Sequence, residues 1–159
     1  MALAMVKKTP AIDMHSVSVS RFCMPDFTKY GMWLLDRLKE EWPQLTEKNV
    51  FGFLRGCSES REFSFLKSDH AVGLCQMNHK HLHAQPELEE IFVFVQDKGN
   101  QTHIYEGGAL YIAFEKWRKT IGGSQIVIGQ YSDVPHGVIA EAIGKVLVRN
   151  VFFVKADER

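Results

Sequence analysis

From Phe27 through Tyr30, Trp33, Leu34 and Leu38 to Trp42, apolar residues recur at intervals of three and four, the spacing that lines them along one face of a helix. Pro25-Asp26 opens this stretch and Pro43 closes it, so a helix is predicted over 26–42. A shorter one is predicted after Thr46, whose hydroxyl can cap it, with Val50, Phe51, Phe53 and Leu54 as its apolar face. Before both, Val17 and Val19 alternate with Ser16, Ser18 and Ser20, which predicts a half-buried strand over 16–22.

Beyond residue 60 the period shortens. Segments 62–66 and 71–77 flank Lys67-Ser68-Asp69-His70 and read as an antiparallel hairpin. Glu89-Glu90-Ile91-Phe92-Val93-Phe94-Val95 is a nearly continuous β-branched and aromatic run, as in a strand buried on both faces. Turn formers follow at 96–100, and Leu110, Ala113, Phe114, Trp117 and Ile121 then share one face of a helix predicted over 106–121. Gly122-Gly123 supplies a left-handed stop before a short strand at 124–129, so this helix joins two neighbouring strands, most simply as a right-handed βαβ crossover. A weaker helix at 135–145 and a last strand at 146–154 complete the order. Where a buried strand hands over to a helix start, backbone N–H groups converge, a setting that favours phosphate.

With 159 residues, 45% of them hydrophobic and 24% charged, the chain suits a single domain over 1–159 with a substantial core. Nineteen basic residues balance nineteen acidic ones, so no overall field points to nucleic acid or an anionic membrane, and neutrality is compatible with a homodimer. Charges interrupt every apolar run short of a membrane span. Cys23, Cys57 and Cys75 are an odd count without paired metal spacing. They suit a reducing compartment, and a cytoplasmic or virion-type protein is expected.

The order β, α, α, β, β, β, α, β, α, β, and above all Glu90-Ile91-Phe92-Val93-Phe94-Val95 leading through Gly107-Gly108-Ala109-Leu110 to Ala113-Phe114-Glu115-Lys116-Trp117 and Gly122, resembles the Gcn5-related N-acetyltransferases, including short acetyltransferase-like phage proteins. The resemblance spans the whole chain. It implies an α+β fold with a mixed, mostly antiparallel sheet of six or seven strands flanked by about four helices, and transfer of an acetyl group from acetyl-CoA to an amine on a small molecule or protein. In that family the fourth strand splays from the fifth, and the cofactor lies in the opening with its pyrophosphate on amides of the next loop. The implied cofactor-binding residues are Val93, Phe94, Val95, Gly99, Asn100, Gln101, Thr102, His103, Ile104 and Tyr105. The family loop has Gln or Arg, two residues, Gly, one residue, then Gly or Ala. Gln96-Asp97-Lys98-Gly99-Asn100-Gln101 fits except at its end, and a later frame over 101–106 has neither glycine. The strand and the predicted helix are also about two residues further apart than the pattern needs, which leaves an insertion or degeneration of the loop as alternatives.

Attack on a thioester requires a neutral amine, so a base must take its proton and an acid can protonate the leaving thiolate. The resemblance puts the base at Glu90 and the acid at Tyr131, a few residues early, with His136 as an alternative. A separate signal is His79, His81 and His83, which would share one face of an extended chain and could ligate a metal. Three classes stay open: an acetyltransferase, a fold kept as a binding or structural module without turnover, and a metal-binding module.

Overall fold

In the computed structural model, which describes residues 12–79, 85–129 and 131–144, the chain runs β1 (Ser20–Arg21), α1 (Asp26–Glu41), α2 (Glu47–Glu59), β2 (Phe63–Lys67), β3 (Ala71–Asn78), β4 (Glu87–Val95), α3 (Gln101–Ile121), β5 (Ile126–Val127) and α4 (His136–Ile143). Among the described residues the strands form one sheet in the order β1-β2-β3-β4-β5. Its first three pairings are antiparallel, while β4 and β5 run parallel, as a strand pair joined through a crossover helix must. The expected mixed, mostly antiparallel sheet with four helices is therefore present, with five strands among the described residues where six or seven were expected. The strand predicted at 146–154 lies outside the described residues.

Side chains alternate across the sheet and divide the core in two. Val72 and Leu74 of β3, with Phe92 and Phe94 of β4, pack with Tyr30, Leu34 and Leu38 of α1 and Leu54 of α2. Ala71, Cys75, Val93 and Val95 face the other way, onto Leu110, Tyr111 and Phe114 of α3 and Val138 and Ile139 of α4. The period of two in β3 thus explains both layers at once.

Several boundaries differ from the sequence expectation, β5 among them, which is shortened to Ile126–Val127, and three of the differences have a visible local partner. The first strand shrinks to two residues because Asp13 caps a 3-10 turn at Met14–Ser16, its side chain accepting from the His15 amide at 3.0 Å. β4 begins at Glu87, where Gln125 donates to the Glu87 carboxylate at 2.7 Å. The largest difference is α3, which starts five residues before its predicted start at Glu106, because Asn100 caps it through 2.9 Å and 3.4 Å bonds from the Thr102 and His103 amides. Gly122, at φ 70°, ends α3 in the left-handed conformation foreseen for it. Asn100→Ala is expected to lower stability by about 1 kcal/mol, the usual worth of such a cap, read as a shifted urea midpoint with unchanged slope.

Candidate active site

β4 carries the feature on which the site is built. Leu74 pairs with Phe92 but Cys75 pairs with Glu90, which leaves Ile91 as the extra residue of a β-bulge. The extra residue changes the face that follows: Leu88 packs in the α3 layer, whereas Phe92, four positions on, packs in the α1–α2 layer. Among the described residues the regular ladder with β5 ends at Glu89↔Val127, two residues before Ile91. Glu90 therefore stands at an interruption of the parallel pairing, which resumes as a single bridge at Val93↔Ser132.

Its side chain occupies the gap. Glu90 is 1% exposed; one carboxylate oxygen accepts from the Tyr111 hydroxyl at 3.0 Å and the other from the Gly129 amide at 2.7 Å. Only glycine allows that approach, since a Cβ on residue 129 would lie 2.5 Å from the Glu90 carbonyl oxygen and 2.7 Å from its carboxylate. Burial pushes the Glu90 carboxyl up to about 7, with the bonds from Gly129 and Tyr111 offsetting only part of the effect. Burial, and next the neighbouring Glu90 charge, raise the Tyr111 hydroxyl well above its ordinary range. Tyr111 is thus a poor proton donor and a good orienting group. Its oxygen lies 2.6 Å from Ser132 Oγ, which extends the chain of hydrogen bonds out of the core.

Past the gap, the edge of β4 is covered by the chain itself. Val93 donates to the Tyr131 carbonyl at 3.2 Å and accepts from the Asp133 amide at 2.9 Å, and Val95 donates to the Asp133 carboxylate at 2.9 Å. The other carboxylate oxygen of Asp133 accepts from Arg37 at 2.6 Å and lies 3.6 Å from Lys98 Nζ. Val134 follows and packs over Gly107, where an added Cβ would come within 2.5 Å of it.

Of the residues expected to hold a cofactor, Val93 and Val95 face α3, and Phe94 lies in the opposite layer with the Arg37 guanidinium 4.4 Å from its ring centre. Gly99 and Asn100 make the turn into α3. Gln101, Thr102, His103, Ile104 and Tyr105 belong to its first turns rather than to a loop, and Ile104 is buried in the core. The apparent surplus of loop residues is helix, so only the frame over 96–101 coincides with a turn. Glu106 points away from that turn: it accepts from the His70 amide at 2.9 Å and meets His70 Nδ1 at 2.7 Å.

His103 stacks on His70, ring centres 3.7 Å apart and planes 12° off parallel, with its Nδ1 donating to the Gln96 carbonyl at 2.7 Å. With Glu106 these rings form the potential metal cluster among the described residues, but lone pairs lying in two nearly parallel planes do not converge on one ion. His79 is exposed, and His81 and His83 lie outside the described residues. The ring of Tyr131 packs on Trp42, centres 4.5 Å apart, in the α1–α2 layer. The hydroxyl beside Glu90 is that of Tyr111, which the sequence placed on α3 but did not single out, because Glu90 and Tyr111 meet only across the layers.

With its bulged β4, parallel β5 and the α3 crossover between them, the chain has the same fold as solved Gcn5-related (GNAT) family acetyltransferases. The chain matches an aminoglycoside antibiotic 6'-N-acetyltransferase of Acinetobacter baumannii with a TM-score of 0.60 at 14% identity, covering 88% of this chain and 97% of that one. A ribosomal-protein-alanine N-acetyltransferase of Brucella melitensis matches at 0.57 and 9% identity, covering 85% and 94%. An aminoglycoside N-acetyltransferase in complex with CoA matches at 0.61 and 13% identity, covering 86% and 92%. No protein-family model and no curated protein matches the sequence.

Against that fold, the opening can be tested for a CoA-type donor. The Val93 and Val95 edge holds residues 131–133, the Thr102 and His103 amides are engaged by Asn100, and Val134 covers Gly107. A donor on this edge of β4 would have to displace residues 131–133.

Proposed function

We propose that the protein is an N-acyltransferase that uses acetyl-CoA as donor and an amine as acceptor, with Glu90 taking the amine's proton. The observation that carries this reading is a carboxyl 1% exposed at the interruption of the β4–β5 ladder, where burial raises it to about 7. A carboxyl at its ordinary value would be a weak proton acceptor near neutrality; one held near 7 is matched to that task. The donor supplies the acyl group as a thioester. Tyr111 and the Gly129 amide orient the carboxylate, and the CoA complex of a protein with the same fold supports the choice of donor.

The acceptor side is open. On the α1–α2 face of the bulge a groove of about 280 Å³ is lined by Leu38, Trp42, Leu45, Val50, Phe53 and Ile91. Those side chains suit an amine with an apolar body, although the Glu90 carboxylate lies on the other face of the sheet, with Tyr111 of α3. Tyr131, expected to be the acid, lies against the same Trp42, in the α1–α2 layer rather than beside the Glu90 carboxylate.

The occupied edge of β4 favours a second reading, a binding module without turnover. Titration of the full chain with CoA separates the two. Under the acyltransferase reading, ligand at 100 times its dissociation constant stabilises the fold by about 2.7 kcal/mol. No thermal shift at millimolar CoA, together with no acetyl transfer to a panel of apolar primary amines, would leave only the module.

A further inference from the structure

We propose that residues 131–133 are an internal competitor for the donor: their backbone takes the ligand's place on the β4 edge, and the Asp133 carboxylate takes the place of a phosphate-class anion. The inference rests on the acyl-donor reading and adds a regulatory element to it.

Two features distinguish this segment from an ordinary loop crossing a sheet. First, it pairs as a strand with Val93 on both its amide and its carbonyl, although regular pairing of β4 with β5 has already ended at Glu89. Second, Asp133 is an anion in a cationic seat. Its carboxylate oxygens take the Val95 amide at 2.9 Å and Arg37 Nη2 at 2.6 Å, with Lys98 Nζ at 3.6 Å.

The seat has donor capacity to spare. Arg37 Nε is buried and donates no hydrogen bond among the described residues, although Nη1 and Nη2 donate to Glu40 and Asp133. A carboxylate presents two oxygens, whereas a phosphate presents three or four and can satisfy more of the same donors. Lys98 is more than half exposed and lies in the turn into α3, so the seat borders solvent on the side of the helix start. Removing Asp133 would leave the largely buried Arg37 facing an empty position, which favours any anion that arrives.

A ligand that must displace part of the protein binds with its intrinsic affinity reduced by the fraction of molecules already open. Releasing the strap should restore that affinity. The test uses the full chain, as wild type and as Asp133→Ala, with CoA as probe in calorimetry and with amide hydrogen exchange at Val93 and Val95 read by NMR.

In the wild type both amides should exchange slowly, and in Asp133→Ala the Val95 amide should exchange faster by about tenfold or more, since its acceptor is gone. CoA should bind the variant at least about tenfold more tightly than the wild type. Asp133→Asn keeps an acceptor for Val95 but removes the charge, so it should gain an intermediate amount; it also serves if the alanine variant does not fold. Equal CoA affinity in wild type and variants overturns the competitor while leaving the donor reading intact. Fast exchange at Val93 and Val95 in the wild type also overturns it, because the strap would not be seated. If no variant binds CoA, the donor reading itself fails, and the competitor with it.

Discussion

Glu90→Gln is expected to lower acyl transfer by about two to four orders of magnitude, the usual contribution of a positioned base, while leaving CoA affinity unchanged. Glutamine has the shape of the protonated acid and keeps an oxygen for the Gly129 amide. Its NH2 can donate to Tyr111, whose hydroxyl then donates to Ser132 2.6 Å away. The fold should therefore survive and only the proton acceptor be lost. In the wild type the rate should rise with pH through about 7 and then level, since the carboxylate is the active form.

The same substitution should change stability with a definite sign. In the folded protein the carboxyl is raised from 4.5 to about 7. Between those values the folded state holds a proton that the unfolded state has released, so stability falls as pH rises through this window. The loss is complete above the folded value and amounts to about 3 kcal/mol. Glu90→Gln carries no such loss, so it should exceed the wild type by about that amount at pH 8 and match it near pH 4. Urea denaturation at both values, beside steady-state rates with an amine acceptor, checks both halves. An unaffected rate would remove Glu90 as base; an unaffected pH dependence of stability would mean that the carboxyl is not buried as described.

Leu110→Ala should cost about 2–5 kcal/mol, the range for emptying a fully buried leucine site. Leu110 is 0% exposed and sits over Gly73 of β3. A Cβ on residue 73 would lie 3.1 Å from Leu110, Phe114 and Val93 together, so Gly73→Ala should also destabilise, by about 1–3 kcal/mol through overpacking. The two changes share one space: the methyl enters part of the cavity that the shortened side chain leaves. The double variant should then be more stable than the sum of the two losses implies, by at least about 0.5 kcal/mol. Strict additivity in a denaturation cycle would mean that β3 and α3 are not packed through this contact.

Much of the architecture was legible because it depends on periods and punctuation. The three-and-four spacing from Phe27 to Trp42, the hairpin around residues 67–70 and the glycine stop at 122 are local features, and each formed within a residue or two of its expected place. The start of α3 was misplaced because its apolar stripe begins late, while the cap that sets its first turn is a single polar side chain, Asn100, among several turn formers. Glu90 could be named from its strand position. Its partners could not, because Tyr111 is 21 residues away and Gly129 is 39.

The sequence by itself determined the order of elements over residues 12–144, the two apolar faces of the sheet and the strand that carries Glu90, since these follow from side-chain periodicity along a local backbone. Only the tertiary structure decided the bulge at Ile91, the burial that raises the Glu90 carboxyl to about 7, the pairing of Glu90 with Tyr111, and the seating of Asp133 between Arg37 and Val95. Each of these depends on which distant segments share a strand edge or a layer, and on how much water their contact removes. Periodicity along one segment carries no record of either.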